Sequence, residues 1–243
     1  MLLPPSETKA SGGDPTPLVP SSLSFPELAG TRELLLDRLI TISGHLPTAR
    51  TLIGVPASLD GELTDNVAIR TGPTMPAIHR YTGVLYEALN VSGMSRSERV
   101  RAGQRLAITS ALFGMLRPDD LIPAYRMSAS AKILGVATLS SIWRAAFARA
   151  AEQIDGPVID LRSGAYAAFG SFPDAITVRV VTESMSGQRQ VVSHFNKHTK
   201  GLLARALAVT RATVTDLPAV LRVARRAGLR AERNGPNGIE IVS

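Results

Sequence analysis

The chain has 243 residues, 44% of them hydrophobic and 19% charged, which allows one large domain or two small ones around a substantial core. It contains no cysteine, which excludes disulfides, thiolate metal sites and cysteine nucleophiles. It also lacks an apolar run near the ~20 residues needed to cross a bilayer, so a cytoplasmic protein with no membrane partner is expected. The net charge of +7 and a pI near 10.3 suit nucleic acid or nucleotide partners, with a merely solvated Arg-rich helix face as the alternative.

The first five residues read as a short buried strand ending at Pro4-Pro5; MLLPPSETK lacks the basic start and long apolar centre of a signal peptide. Ser6 to Ser24 is a long Ser/Gly/Pro-rich loop, of the kind that carries function. A helix follows from about Pro26 to Ser43, with Leu28, Leu35, Leu36 and Leu39 near one face, and weaker helical stretches lie at 46–53 and 58–69. Ala77 to Tyr81 is expected to be a strand, and Gly83 opens the helix VLYEALN. In NVSGMSRSERVRAGQRL the pattern predicts a short helix, a tight turn over Ser92-Gly93 and a helix capped by Ser95, with Ser95-x-x-Glu98 as a capping box. Helix, glycine-bearing hairpin, helix (about 83–105) is a shape that can hold a duplex phosphate on backbone N–H groups, and a plain αα-hairpin is the alternative.

Leu106 to Thr109 is expected to be a strand, Thr138 to Ile154 an amphipathic helix carrying Trp143, and Val158 to Leu161 a buried strand. Ser163 to Phe169 then forms a short helix. Ile176–Thr182 and Arg189–Phe195 flank Ser186-Gly187 as a hairpin. Helices at about 198–211 and 215–226 precede a terminal strand pair turning at Asn234 to Gly238. The fold expected is α/β (mixed α+β): one domain over residues 1–243, with a mixed β-sheet, surrounding helices and the internal helix-hairpin-helix.

Polar residues gather where these strands end, and ligands of open α/β sheets bind there. Ser6, Glu7 and Lys9 follow the first strand. Arg117, Tyr125 and Arg126 follow the strand near 106–109, Ser163 and Tyr166 follow 158–161, and Lys197 and Lys200 follow the strand ending at Phe195. Together they would make a basic cleft for a phosphate or a nucleotide, although any single one can equally cap a helix or solvate a turn. Between Lys197 and Arg233 there are nine Lys/Arg against Asp216 and Glu232. In that stretch Arg222, Arg225 and Arg226, with Gly93, Ser95 and Arg96 of the hairpin, are the candidate DNA contacts. His194 and His198 have the i,i+4 spacing of a helical metal pair but straddle a predicted strand end without a third ligand, so no metal site is expected. The sequence has no Walker loop, GxGxxG, GxSxG or HExxH, and no cofactor is expected.

Several segments in order resemble the YaaA family of peroxide stress proteins. LFGMLRPDDLIPAYRM is similar to that family's LYGVLRPLDLxxPYRL, LLPPSETK to its N-terminal strand and loop, and FPEL to its first-helix entry. YTGVLYEAL resembles KGDVYxGL, VIDLRSGAYAAF resembles VINLASxEYxK, VVSHFNKHTKGLLAR resembles ISxxxKxxRGxxxR, and Trp143 falls at the family's helix tryptophan. The resemblance implies a single mixed α/β domain that binds double-stranded or branched DNA and limits iron-driven oxidative damage; with no Cys and four His, direct iron binding is not expected. Lys9, Arg117, Tyr125, Arg126, Ser163, Tyr166, Lys197 and Lys200 match the family's polar positions. Thr82 replaces a family lysine, Gly164-Ala165 an acidic position, and Lys200 an arginine. In this frame Pro118 and Pro123 would fix a turn that aims Arg117 and Arg126 into the cleft. The second expectation is an enzyme acting on a nucleotide or damaged nucleobase, with Lys9 or Lys197 as nucleophile, Tyr166 as proton donor, and Ser6, Arg117, Tyr125, Arg126, Ser163 and Lys200 binding substrate.

Overall fold

β1 (Leu2–Leu3) is apolar and buried because it runs mid-sheet with a parallel neighbour on each side. The computed structural model describes residues 1–135, 137–184, 187–190 and 193–242, the side chains of 193–195 apart. From Pro4-Pro5 the chain enters the long loop, which holds a 3-10 turn at Pro20–Ser22 and two isolated bridges, Lys9 to Tyr81 and Asp14 to Thr74. A 3-10 turn at Pro26–Leu28 leads into α1 (Ala29–Ser43), whose Leu35, Leu36, Leu39 and Ile42 bury one face. α2 (Leu46–Ala49), continued by a π turn over Arg50–Gly54, and α3 (Asp60–Val67) fill the two weaker helical stretches.

β2 (Thr74–Pro76), α4 (Ala77–Arg80) and α5 (Val84–Leu89) come next, then a 3-10 turn at Val91–Gly93 and α6 (Arg96–Arg105). β3 (Ala107–Ser110), β4 (Gly114–Leu116) and β5 (Leu121–Pro123) precede α7 (Leu139–Ala151), which is capped by Thr138. β6 (Ile159–Asp160), α8 (Gly164–Ala167), β7 (Ile176–Glu183) and β8 (Arg189–Gln190) lead to α9 (Ser193–Val209). α10 (Leu217–Arg226), β9 (Arg230–Arg233) and β10 (Gly238–Val242) complete the chain.

The main sheet has the order β4-β3-β1-β6-β7-β10-β9, with β8 against β7. β3, β1, β6, β7 and β10 are mutually parallel, and β4, β8 and β9 pair antiparallel at its edges. β2 and β5 form a separate antiparallel pair. The architecture is the mixed α/β domain expected. Strand order reverses at β1, with β3 and β4 to one side and all later strands of the sheet to the other. A crevice therefore opens beyond the carboxyl ends of β1 and β6.

Two expected elements differ. Ala77 to Tyr81 is not a strand: α4 occupies Ala77–Arg80, and the amides of Ala77 and Ile78 donate to Asp120 and Pro118 carbonyls of the neighbouring turn instead of a strand partner. The strand expected to reach Phe195 is β8 alone, since α9 has begun by Ser193; residues 191 and 192, like Ser186 of the expected hairpin turn, lie outside the described residues. α9 packs closely on α5, where a Cβ at Gly201 would stand 2.4 Å from the Leu85 carbonyl oxygen. That packing favours helix from Ser193 onward, in the part of the segment that the local pattern assigned to a strand.

The RPDD turn is a structural knot. Asp120 accepts from the Arg117 amide (2.8 Å) and from both the amide and hydroxyl of Ser24 (3.0 and 2.8 Å), tying the end of the long loop to the β4–β5 connection. Buried Arg32 donates to the carbonyls of Ser24, Phe113 and Met115 at the same junction. Beside it Trp143 donates to Ala111 O (2.9 Å) and its ring covers Gly114, where φ is +73° and a Cβ would lie 2.7 Å from the indole. Gly114→Ala should therefore cost roughly 2–4 kcal/mol, from overpacking plus the left-handed backbone. Urea unfolding at unchanged m checks this; a loss well under 1 kcal/mol would contradict it.

Candidate functional site

The crevice beyond β1 and β6 is a cleft of about 650 Å3. Ser6 and Glu7 reach it from the loop after β1, Ser163 and Tyr166 from the loop and short helix after β6, and Lys197 and Lys200 from α9. Five of the predicted residues (Ser6, Ser163, Tyr166, Lys197 and Lys200) thus meet there. Lys197 is exposed and has no ion-pair partner among the described residues. Lys200 donates to Leu161 O (3.0 Å), and burial pulls its ammonium below the ordinary lysine value against the opposing pull of Asp160. Asn196 also lines the cleft, and its buried Oδ1 has no hydrogen-bond partner among the described residues.

The loop's course is set by contacts along its length. Thr82 N donates to Thr8 O, and a Cβ on Gly83 (φ +92°) would press on the Ser6 and Thr8 hydroxyls at 3.3 Å, so glycine is needed there. Further on, fully buried Arg80 donates to the carbonyls of Ala10, Gly12 and Pro73, and to Ile122 across the loop's far wall. Arg162, buried beneath Ser163, holds Asp160 in a two-pronged pair (2.9 and 2.7 Å) and donates to Tyr166 O and Gly170 O.

Lys9, Tyr125 and Arg126 form an adjoining nest rather than a wall of the cleft. Lys9 Nζ donates to Ser6 O (3.2 Å) and Glu7 O (3.3 Å) and lies 4.3 Å from the centre of the Tyr125 ring. Tyr125 shares its hydroxyl with Tyr81 (2.7 Å) and Ser110 (2.8 Å), and Tyr81 stacks on Tyr86. Arg126 is fixed through its backbone by Asn66, and its guanidinium pairs with Glu62 (3.4 Å) and Glu7 (3.7 Å). Glu7 joins the nest to the cleft. Burial pushes all four tyrosines upward, Tyr81 to about 12, so each stays protonated at neutral pH. Burial first, then Arg126 and Arg80, lowers Lys9 to about 8, with Glu7 and Glu62 opposing.

Arg117 is not in this cleft, contrary to expectation. The Asp120 knot turns its side chain to the opposite end of the strands, where Nη1 donates to Gln104 O and Leu106 O (3.2 Å each). The hairpin residues are also differently engaged. The Gly93 amide donates to Asn90 Oδ1 (3.1 Å) and its carbonyl accepts from Arg205, while Ser95 and Glu98 close the capping box. This occupies the donor that phosphate capture by the turn would use and leaves Arg96 and Arg99 as exposed basic groups there. Arg222, Arg225 and Arg226 are exposed on α10, with Arg225 Nε donating to Ala231 O. His194 and His198 both lie on α9, and the His194 side chain is outside the described residues. Among the described residues no group of three or more His, Asp or Glu could hold a metal ion, and no helix is long and apolar enough to cross a membrane.

Glu7 with Arg126, the mid-sheet crevice and the RPDD knot all fall in segments that carried the sequence resemblance, and the whole chain bears it out. The sequence model of the peroxide stress protein YaaA family matches residues 1–233. This chain belongs to the YaaA family. It is 44% identical over 238 residues to a UPF0246 protein of Corynebacterium efficiens, covering 96% of this chain and 95% of that one. A UPF0246 protein of Corynebacterium glutamicum is 41% identical over 247 residues (100% and 98%), and one of Streptomyces coelicolor 39% over 242 residues (97% and 93%).

Sequence reasoning missed Arg80, Arg162, Asn66 and Asn196. Arg80, Arg162 and Asn196 each stood beside a residue that drew attention, whereas Asn66 lay in a weak helical stretch with nothing to mark it; an arginine flanked by apolar residues, as in AIHRY, was the available sign of a buried anchor. Because Lys9 binds fewer protons folded than unfolded between pH 8 and 10.5, its burial cost is present below pH 8 and relieved as pH rises through that window. Wild type should gain roughly 2–3 kcal/mol over Lys9→Met between pH 7.5 and pH 10.5 in urea unfolding. A difference that stays flat would contradict the lowered value.

Proposed function

We propose that this YaaA-family member is a cytoplasmic DNA-binding protein of the peroxide stress response, gripping double-stranded or branched DNA through phosphates, with the cleft receiving one phosphate-bearing nucleotide unit. The observation that carries this reading is the convergence of Lys197, Lys200, Ser6 and Ser163 on one cleft in which neither lysine is ion-paired among the described residues. Glu7, the acidic residue of the lining, is already paired with Arg126. Two ammonium groups and two hydroxyls suit a phosphate, and the buried Asn196 Oδ1 suits a donor on the attached nucleoside. Exposed Arg96, Arg222, Arg225 and Arg226 would add contacts to neighbouring phosphates without reading bases.

A second reading, an enzyme acting on a nucleotide or damaged nucleobase, draws on Lys9, whose lowered ammonium value makes a neutral amine accessible near physiological pH. It sits one residue pair from the cleft wall, bonded to the backbone of Ser6 and Glu7.

The DNA reading is tested by anisotropy titrations of duplex and four-way-junction DNA across a salt series. Wild type should show a steep log–log slope, and Lys197→Ala/Lys200→Gln should flatten it by about 1 for the lost phosphate contact. Lys9→Gln should leave affinity unchanged. An unaltered slope in the double-lysine variant would remove the cleft from DNA binding.

A further inference from the structure

The residue that fails to join the cleft defines a second site. At the amino-terminal ends of β1 and β6, across the sheet from the cleft, a cavity of about 410 Å3 is lined by Arg117, Phe25, Gln104, Ile154, Leu207 and Val214 among others. We propose that this cavity binds a small organic acid, its carboxylate held by Arg117 and its apolar body packed on Ile154, Leu207 and Val214.

The guanidinium is set for that task. One edge is anchored, since Nη1 gives its protons to Gln104 O and Leu106 O, while the plane stacks on Phe25 at 5.1 Å and the backbone amide is tied to Asp120. The other edge, Nε with Nη2, is the fork that matches a carboxylate, and no described residue accepts from it. No carboxylate among the described residues lies within ion-pair distance (4.0 Å) of it. Asp155, on the cavity rim, is exposed and is not paired with Arg117. An arginine held in one orientation loses little side-chain freedom when a ligand binds.

Phe25 supplies an independent sign. It holds φ +61° and ψ +70°, left-handed backbone that costs a non-glycine residue energy, and it lies directly against the guanidinium. The Asp120–Ser24 bonds enforce that conformation from the adjacent residue. Strain held in place at a cavity wall is a feature that a purely structural capping arginine does not require. Arg105 contrasts with it: its Nη1 is taken up by Leu207 O (2.9 Å) and Thr210 O (2.6 Å) at the end of α9. The cavity volume lies within the range of small-ligand sites, roughly 300–1,000 Å3. Three basic groups line it, but the Met1 amino group donates to Arg105 O (2.7 Å) and Arg105 caps the end of α9, which leaves the Arg117 fork as the one free to take a carboxylate.

The test uses benzoate as the carboxylate probe and benzamide as its uncharged isostere, titrated calorimetrically into the full chain. Wild type should bind benzoate saturably at one site and benzamide at least about tenfold more weakly. Arg117→Gln should lose that preference, Val214→Phe should lose binding of both, and Lys197→Ala should change neither, which separates this site from the DNA cleft. Equal affinity for the two probes, no saturable binding at millimolar concentration, or full benzoate affinity in Arg117→Gln would overturn the proposal. Should Arg117→Gln fail to fold, wild type decides alone. Nuclear Overhauser contacts from benzoate ring protons to the Val214 and Leu207 methyls are required, and contacts elsewhere only would overturn it.

Discussion

One buried cation governs the shape of the cleft. Arg80 has no solvent exposure, and its guanidinium spends its donors on Ala10, Gly12, Pro73 and Ile122 carbonyls. Those four acceptors come from the long loop, the approach to β2 and β5. Without the arginine the loop would carry buried carbonyls with no donor, which is costly in a low-dielectric interior. With it, a segment lacking helix or strand is held as firmly as one. The close approach of Gly13 to Thr74 O, where a Cβ would stand at 2.4 Å, belongs to the same clamp. Ser6, Glu7 and Lys9 owe their positions to it.

A hierarchy of arginines follows, and it changes how the basic character of the chain is understood. Arg32, Arg80 and Arg162 are structural staples. Arg101 and Arg105 cap the final carbonyls of α9, where the helix dipole favours cations, and Arg205 returns the favour at the turn after α5. Arg189 and Arg230 are bound up with Glu183, Glu232 and Glu240 across the β7–β10 edge. The net charge of +7 therefore overstates the cation density offered to a partner. What is left for an anion is Lys197 and Lys200 at the cleft, the exposed arginines of α6 and α10, and Arg38, Lys132, Arg144, Arg149 and Arg211 elsewhere on the surface.

Most helices were legible in the sequence because their apolar spacing and caps are local: Ser95 with Glu98 and Thr138 at the head of α7 behave as their residue types dictate. The terminal strand pair and the central strands were legible for the same reason. The strands β2, β4 and β5 were not, since each carries a proline or glycine within it and no bounded apolar run marks it, unlike MLLPP at β1 and GPVIDL at β6. The start of α9 and the helix at Ala77–Arg80 were misread because tertiary contacts, with α5 in one case and the 118–120 turn in the other, overrode local preference. At the site, placing polar residues by strand ends found five of the cleft's side chains. It failed for Arg117 because direction depends on Asp120, whose carboxylate reaches Ser24, 96 residues away in the chain.

The arrangement as a whole is a mixed sheet with a parallel core and two opposed ends, one cationic and hydroxyl-rich, the other holding the oriented Arg117 in a cavity of mixed polar and apolar lining. The central claim is that the cationic end is where DNA engages. Hydrogen–deuterium exchange of the protein with and without saturating duplex DNA addresses this most directly, because it reports backbone protection segment by segment without altering a residue. The account predicts slowed exchange in 4–8 and 161–166 and in the first turns of α9 that follow Ser193. Protection confined to other surfaces, with these segments exchanging as in the unbound protein, would contradict it.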